Sequence, residues 1–147
     1  DKVPHRLKLA REMGADVTIH NATEAIAPAI LDETRGRGVD VTFDAAASAE
    51  TINAGLASTR GGGTFVLVGI PSDPAIVVDL SIAMGKELRI QTVKRSNHRS
   101  QPAIDILKTG RIPEAVITHE LPLEQSSKAF AMLADYADGV GKILIRM

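Results

Sequence analysis

The 147 residues are 44% apolar with a formal net charge of −1, the profile of a folded globular chain, and the interspersed charges offer no basic footprint for nucleic acid and no polybasic membrane patch. The absence of Cys excludes a disulfide framework and any thiolate metal site within these residues. The longest apolar stretches reach about half of the roughly 20 residues that a membrane-spanning helix needs, so no membrane partner is expected.

Pro4 to Met13 reads as a helix, with Pro in its first turn, Leu7, Ala10 and Met13 at helical spacing, and Gly14 as its stop. Val17 to His20 is a predicted short strand. Glu24 to Thr34 is helical and ends in the turn sequence Arg35 to Gly38. Val39 to Asp44 is the next strand, Ala49 to Ser58 a helix, and Gly61 to Gly63 a helix stop and turn before strand Thr64 to Val68. Ile76 to Val78 reads as extended, Leu80 to Gly85 as a short helix, Leu88 to Val93 as a strand and Gln101 to Thr109 as a helix. After Gly110 come strand Val116 to Leu121, a helix from Leu123 to Tyr136 and strand Lys142 to Arg146.

Near-continuous apolar strands alternating with helices imply a parallel sheet covered on both faces. Such sheets bind ligands beyond the carboxyl ends of their strands. The most informative run is TRGGGTFVLVGI, Thr59 to Ile70, a glycine break followed by a buried strand that ends in Gly69. A glycine at that point lets backbone approach a ligand closely, since it has no Cβ. The tract Gly61 to Gly63 is not a phosphate loop, because it opens a strand and anion binding of that kind needs a following helix N-terminus. His5, His20, His98 and His119 show no ligand-type spacing, so no metal ligand and no catalytic residue is assigned.

Several of these segments together resemble the medium-chain, zinc-type alcohol and polyol dehydrogenases, nearest to the sorbitol and threonine dehydrogenase branch. They are DKVPHRLKLAREMGAD from Asp1, TFDAAAS, TRGGGTFVLVGI, KELRI from Lys86 and HELPLEQSSKAF from His119, in that order. The resemblance implies an α/β, Rossmann-like doubly wound parallel sheet. The sequence begins at Asp1 and holds no GxGxxG, so the sheet is expected to lack its first two strands, with the glycine fingerprint and zinc ligands upstream. Residues 1–110 would be a partial dinucleotide-binding domain, and residues 111–147 the C-terminal return of the catalytic domain.

By the same resemblance Asp1 receives the adenosine ribose hydroxyls, a position that favours NAD over NADP because a carboxylate repels a 2′-phosphate. Arg6 borders the adenosine, and with Lys2 keeps NADP from being excluded. Val68, Gly69 and Ile70 face the nicotinamide side. Val93, Lys94 and Arg95 match a segment that touches nicotinamide through backbone and substrate through Arg95. Ser96 stands where a Tyr is frequent and Lys94 where an aromatic is frequent, which leaves the substrate class open. Asp44 to Ala47 would line the adenine side, with Ala47 where similar enzymes carry Gly.

The expected parent is a cytoplasmic, zinc-dependent, NAD-linked oxidoreductase acting on a secondary alcohol or polyol, and homo-oligomeric through edge strand 88–93. The present residues would supply cofactor binding and be inactive alone. The competing readings are a zinc-free quinone reductase type and a non-catalytic module for binding or oligomerisation.

Overall fold

The computed structural model describes residues 1–96 and 98–147. In chain order the helices are α1 (Pro4–Glu12), α2 (Ile26–Glu33), α3 (Ala49–Ser58), α4 (Leu80–Gly85), α5 (Ser100–Lys108) and α6 (Ser126–Asp135), and the strands are β1 (Val39–Asp44), β2 (Thr59–Leu67), β3 (Arg89–Thr92), β4 (Ile117–Pro122) and β5 (Lys142–Arg146). They fall into two compact units, one of residues Glu24–His98 and one combining Asp1–Thr23 with Arg99–Met147. No helix among the described residues is long and apolar enough to cross a membrane.

In the unit of residues 24–98, β1, β2 and β3 form a parallel sheet in that order, with Thr42 opposite Phe65 and Phe65 opposite Ile90. Ser48 starts α3 because its hydroxyl accepts the Thr51 amide at 3.1 Å while the Thr51 hydroxyl accepts the Ser48 amide at 3.2 Å. The inner face of α3 then delivers Ile52 and Leu56 onto Phe65, with Ala83 of α4 closing the cluster. Leu56 is fully buried and Phe65 is 1% exposed. At the other end of α3, the Lys86 ammonium donates to the carbonyls of Ala57 (2.5 Å) and Thr59 (2.9 Å), a cation placed where the helix dipole is negative. Strand alternation sends Val41 and Phe43 away from this core, and Phe43 is 71% exposed.

Two expectations are corrected here. The tract Gly61 to Gly63 is not a turn before the strand but lies inside β2. There β2 advances from Thr59 to Thr64 while β1 advances only from Val39 to Val41, a bulge. Gly62 takes φ +66° and donates its amide to Lys86 O at 2.8 Å, which keeps the extra residues attached to the sheet unit. Val17 to His20 is not a strand, because no neighbouring strand pairs with it among the described residues. It is tied instead to the chain start, with the Asp1 amino group donating to Ile19 O at 3.1 Å and the His20 ring N–H to Lys2 O at 2.9 Å.

In the second unit β4 and β5 pair in parallel, and α6, which connects them in sequence, buries Ala129 and Met132; Val140, just before β5, is fully buried. The first turn of α1 joins this unit through the His5 ring, which donates to Val140 O at 3.3 Å. Gly141 fits beneath α1 because a Cβ there would lie 2.8 Å from Leu9 Cδ2 and 2.9 Å from Val116 O.

The α3–sheet contact yields a direct test. A Cβ on Gly55 would stand 2.5 Å from Phe65 Cε2 and 3.1 Å from Thr42 Cγ2, and Phe65 has no room to retreat. Gly55→Ala gains up to about 1 kcal/mol of helix propensity but overpacks the core at about 1–3 kcal/mol. Net destabilisation of about 1–2 kcal/mol in urea unfolding is expected, and a stabilised variant would show that the contact is looser than described.

Candidate functional site

Because the three strands of the sheet are parallel and in register, their carboxyl ends fall on one edge, with Asp44 opposite Leu67 and Leu67 opposite Thr92. The loops that follow begin at Ala45, Val68 and Val93. The amides of Val68 and Gly69 both donate to Asp44 O, at 2.8 and 2.9 Å, and the Val93 amide donates to Leu67 O at 3.0 Å. Val68, Gly69 and Val93 are therefore brought together at one edge of the sheet. Val68, Ile70 and Val93 give that edge an exposed apolar rim. Lys94 and Arg95 follow, both exposed, with Arg95 in the left-handed region at φ +46°.

Asp44 is the organiser of this edge rather than part of its open surface. Its carboxylate is buried and accepts the amides of Ala46 (2.8 Å) and Ala47 (3.0 Å) and the Thr51 hydroxyl (3.1 Å), so it shapes the 45–47 loop and starts α3. Ala47 sits at φ +55°, the conformation that favours Gly there. The close approach at Gly69 is to the chain itself, since a Cβ would lie 2.8 Å from Ala47 Cβ and 2.9 Å from Ala45 C. Sequence reasoning did not find Thr51 as the residue that links Asp44 to the α3 cap. Its signal was weak, because Thr51 stands where the usual capping box has Glu or Gln.

Asp1 and Arg6 belong to the other unit. The Asp1 carboxylate accepts the Val3 amide at 2.9 Å through Oδ1, which fixes it at the start of α1. The Arg6 guanidinium lies over the Tyr136 ring, 4.4 Å from its centroid, and makes no hydrogen bond or ion pair among the described residues. It also lines an open cavity of about 380 Å³ with Leu9, Ala10, Met13, Val116, Gly141 and Lys142. Tyr136 carries no local signal, being 130 positions from its partner in sequence.

No group of three or more His, Asp or Glu among the described residues could hold a metal ion. His119 is engaged by Asp138 (3.3 Å) and Thr118 (2.8 Å), as a local clasp between β4 and the loop before β5. The residues present do not fit a zinc site.

A family profile described as zinc-binding dehydrogenase matches residues 1–109. The chain belongs to this family. It is 29% identical over 146 residues to an alcohol dehydrogenase of Cupriavidus necator, covering 97% of this chain and 40% of that protein. To the D-arabitol-phosphate dehydrogenase of Enterococcus avium it is 32% identical over 131 residues, covering 88% of this chain and 37% of the relative. The solved structure of an alcohol dehydrogenase from E. coli CFT073 complexed with NADH superimposes with a TM-score of 0.87 at 26% identity, over all of this chain and 43% of that one. The chain thus spans about two fifths of the length of its relatives and adopts their Rossmann-like α/β fold with parallel strands.

At the opposite end of the sheet, Asp40 is bracketed by Arg37 (2.6 Å) and Arg60 (2.5 Å), whose hydrogen bonds hold its carboxyl down at about 2. A depressed carboxyl pKa stabilises the fold above its unfolded value of 3.8, and the effect is lost as pH falls from there towards about 2. Urea midpoints measured at pH 4.5 and 2.5 should therefore fall less in Asp40→Asn than in the parent, and 1 M salt should narrow the difference, since all three groups are exposed. Equal falls would mean that the bracket contributes nothing.

Proposed function

We propose that these residues are the cofactor-holding part of an NAD-linked dehydrogenase that oxidises a secondary alcohol or polyol. In this reading residues 1–110 are the later part of its dinucleotide domain and 111–147 the return of its catalytic domain. The observation that carries the proposal is the convergence of three parallel strand ends at Asp44, Leu67 and Thr92 under an apolar rim. That is where such sheets take ligands. Membership of a family whose relatives are named alcohol and polyol-phosphate dehydrogenases supports the chemistry.

In this reading two sets of residues serve the cofactor. The carbonyls of Val68 and Val93 accept no hydrogen bond among the described residues, and are acceptors for the carboxamide NH2 of nicotinamide. Gly69 and Ile70 complete that wall, and Lys94 and Arg95 follow Val93 towards the substrate side. Asp1 Oδ1 is already bound by Val3, so Oδ2 is the oxygen left to receive a ribose hydroxyl proton, and Arg6 borders the adenosine. NAD, when bound, supplies the hydride acceptor at C4. This chain binds and orients that ring and keeps water from its apolar face. Zinc, in this reading, is held by ligands outside these residues.

The exposed edge strand β3, with Arg89, Ile90, Gln91 and Thr92 all open to solvent, supports pairing with a second copy of the chain. The cytoplasm is the proposed location.

Two substitutions in the full-length dehydrogenase test the proposal. Asp1→Ala should weaken NAD binding by about 1.5–3 kcal/mol, the size of a charge-assisted hydrogen bond, and narrow the preference over NADP. Unchanged NAD affinity in calorimetry would remove Asp1 from the site. Arg95→Ala should reduce kcat/KM for a polyol more than for a simple secondary alcohol, because only the polyol offers further hydroxyls to the guanidinium. Equal losses for the two substrates would mean that Arg95 does not read the substrate.

A further inference from the structure

Tyr136 is the C-terminal cap of α6 and sits at φ +52°, ψ +33°, with its amide donating to Met132 O. This left-handed cap is normally Gly or Asn, because a Cβ is strained there. A bulky aromatic at such a position points to a task for the side chain. Among the described residues the ring lies beneath the Arg6 guanidinium, whose Cζ is 4.4 Å from its centroid. Stacking uses the face of the guanidinium and leaves the N–H donors at its edge available, and none of them is engaged among the described residues. The adjacent His5 ring donates to Val140 O, so the first turn of α1 is bound to the 136–140 loop at two successive residues. Asp1, whose carboxylate accepts the Val3 amide, leads directly into that turn.

We propose that Tyr136 is a positioning residue for cofactor binding, orienting Arg6 by its face so that the free edge of the guanidinium meets the adenosine half of NAD. This rests on the reading of Asp1 and Arg6 as adenosine contacts. It extends the cofactor site into the C-terminal return of the chain, so that α6 and its cap contribute to affinity from outside the nucleotide-binding segment.

The test uses the full-length dehydrogenase with 5′-AMP and NAD as probes in calorimetry, alongside thermal melts. Tyr136→Gly relieves the strained cap, so its melting temperature should hold or rise while the Kd for 5′-AMP increases about threefold to fivefold. Tyr136→Phe keeps the ring and should stay within about twofold of the parent. Arg6→Ala should lose as much as Tyr136→Gly, and the double variant no more than Arg6→Ala alone, because both act through one guanidinium. Three outcomes overturn the inference: Tyr136→Gly binding 5′-AMP normally while Arg6→Ala does not; Tyr136→Gly losing affinity and melting temperature together; or losses that add in the double variant. If Arg6→Ala binds normally and Asp1→Ala does not, the inference falls and the ribose reading stands. If Asp1→Ala also binds normally, the adenosine reading itself falls.

Discussion

The contact of the Phe65 ring with the backbone of Gly55 is the constraint on which the rest of the sheet unit depends. It brings α3 close enough for Leu56 to reach zero exposure and sets the helix at a fixed height above β1 and β2. Ser48 and Asp44 then close the helix N-terminus from the strand side, and Lys86 closes its C-terminus. Since Asp44 ends β1 and its carbonyl accepts both Val68 and Gly69, the position of α3 is transmitted to the strand edge where a ligand would lie.

That edge is built by the chain's own close packing before any ligand is considered. Gly69 has no space for a Cβ because the Ala45–Ala47 loop fills it, and Ala47 occupies a left-handed conformation because the Asp44 carboxylate takes its amide and that of Ala46. What remains exposed is an apolar rim of Val68, Ile70 and Val93, with carbonyls at Val68 and Val93 that accept no hydrogen bond among the described residues. The charged residues at the opposite end of the sheet, Arg37, Asp40 and Arg60, satisfy one another. The two ends therefore differ in kind, one an open apolar rim flanked by Lys94 and Arg95, the other internally paired.

The second unit shows how a segment far along the chain can serve residues at its beginning. His5 and Arg6 each contact the 136–140 loop, one through a carbonyl and one through an aromatic face. These contacts make the 136–140 loop part of the support for the first turn of α1. Tyr136 and Asp138 of this loop are both at positive φ.

The sequence by itself determined the parallel α/β class and most element positions, since hydrophobic periodicity and the Ser, Gly and Pro punctuation are local. The bounds of β1, α3, α4 and β5 fall where periodicity places them. The family too was legible, because its motifs are contiguous runs. Tertiary structure decided the rest. Val17 to His20 has strand-forming residues but no strand beside it among the described residues, and a ladder exists only when a partner supplies the other half of its hydrogen bonds. The Gly61–Gly63 tract reads as a turn until the register between β1 and β2 requires it as a bulge. That the Asp44 carboxylate holds Ala46, Ala47 and Thr51 is likewise a matter of folding, since no spacing shows where its oxygens point. Arg6 and Tyr136 are joined only by folding, because a cation over an aromatic face depends on a distance in space that no spacing along the chain encodes.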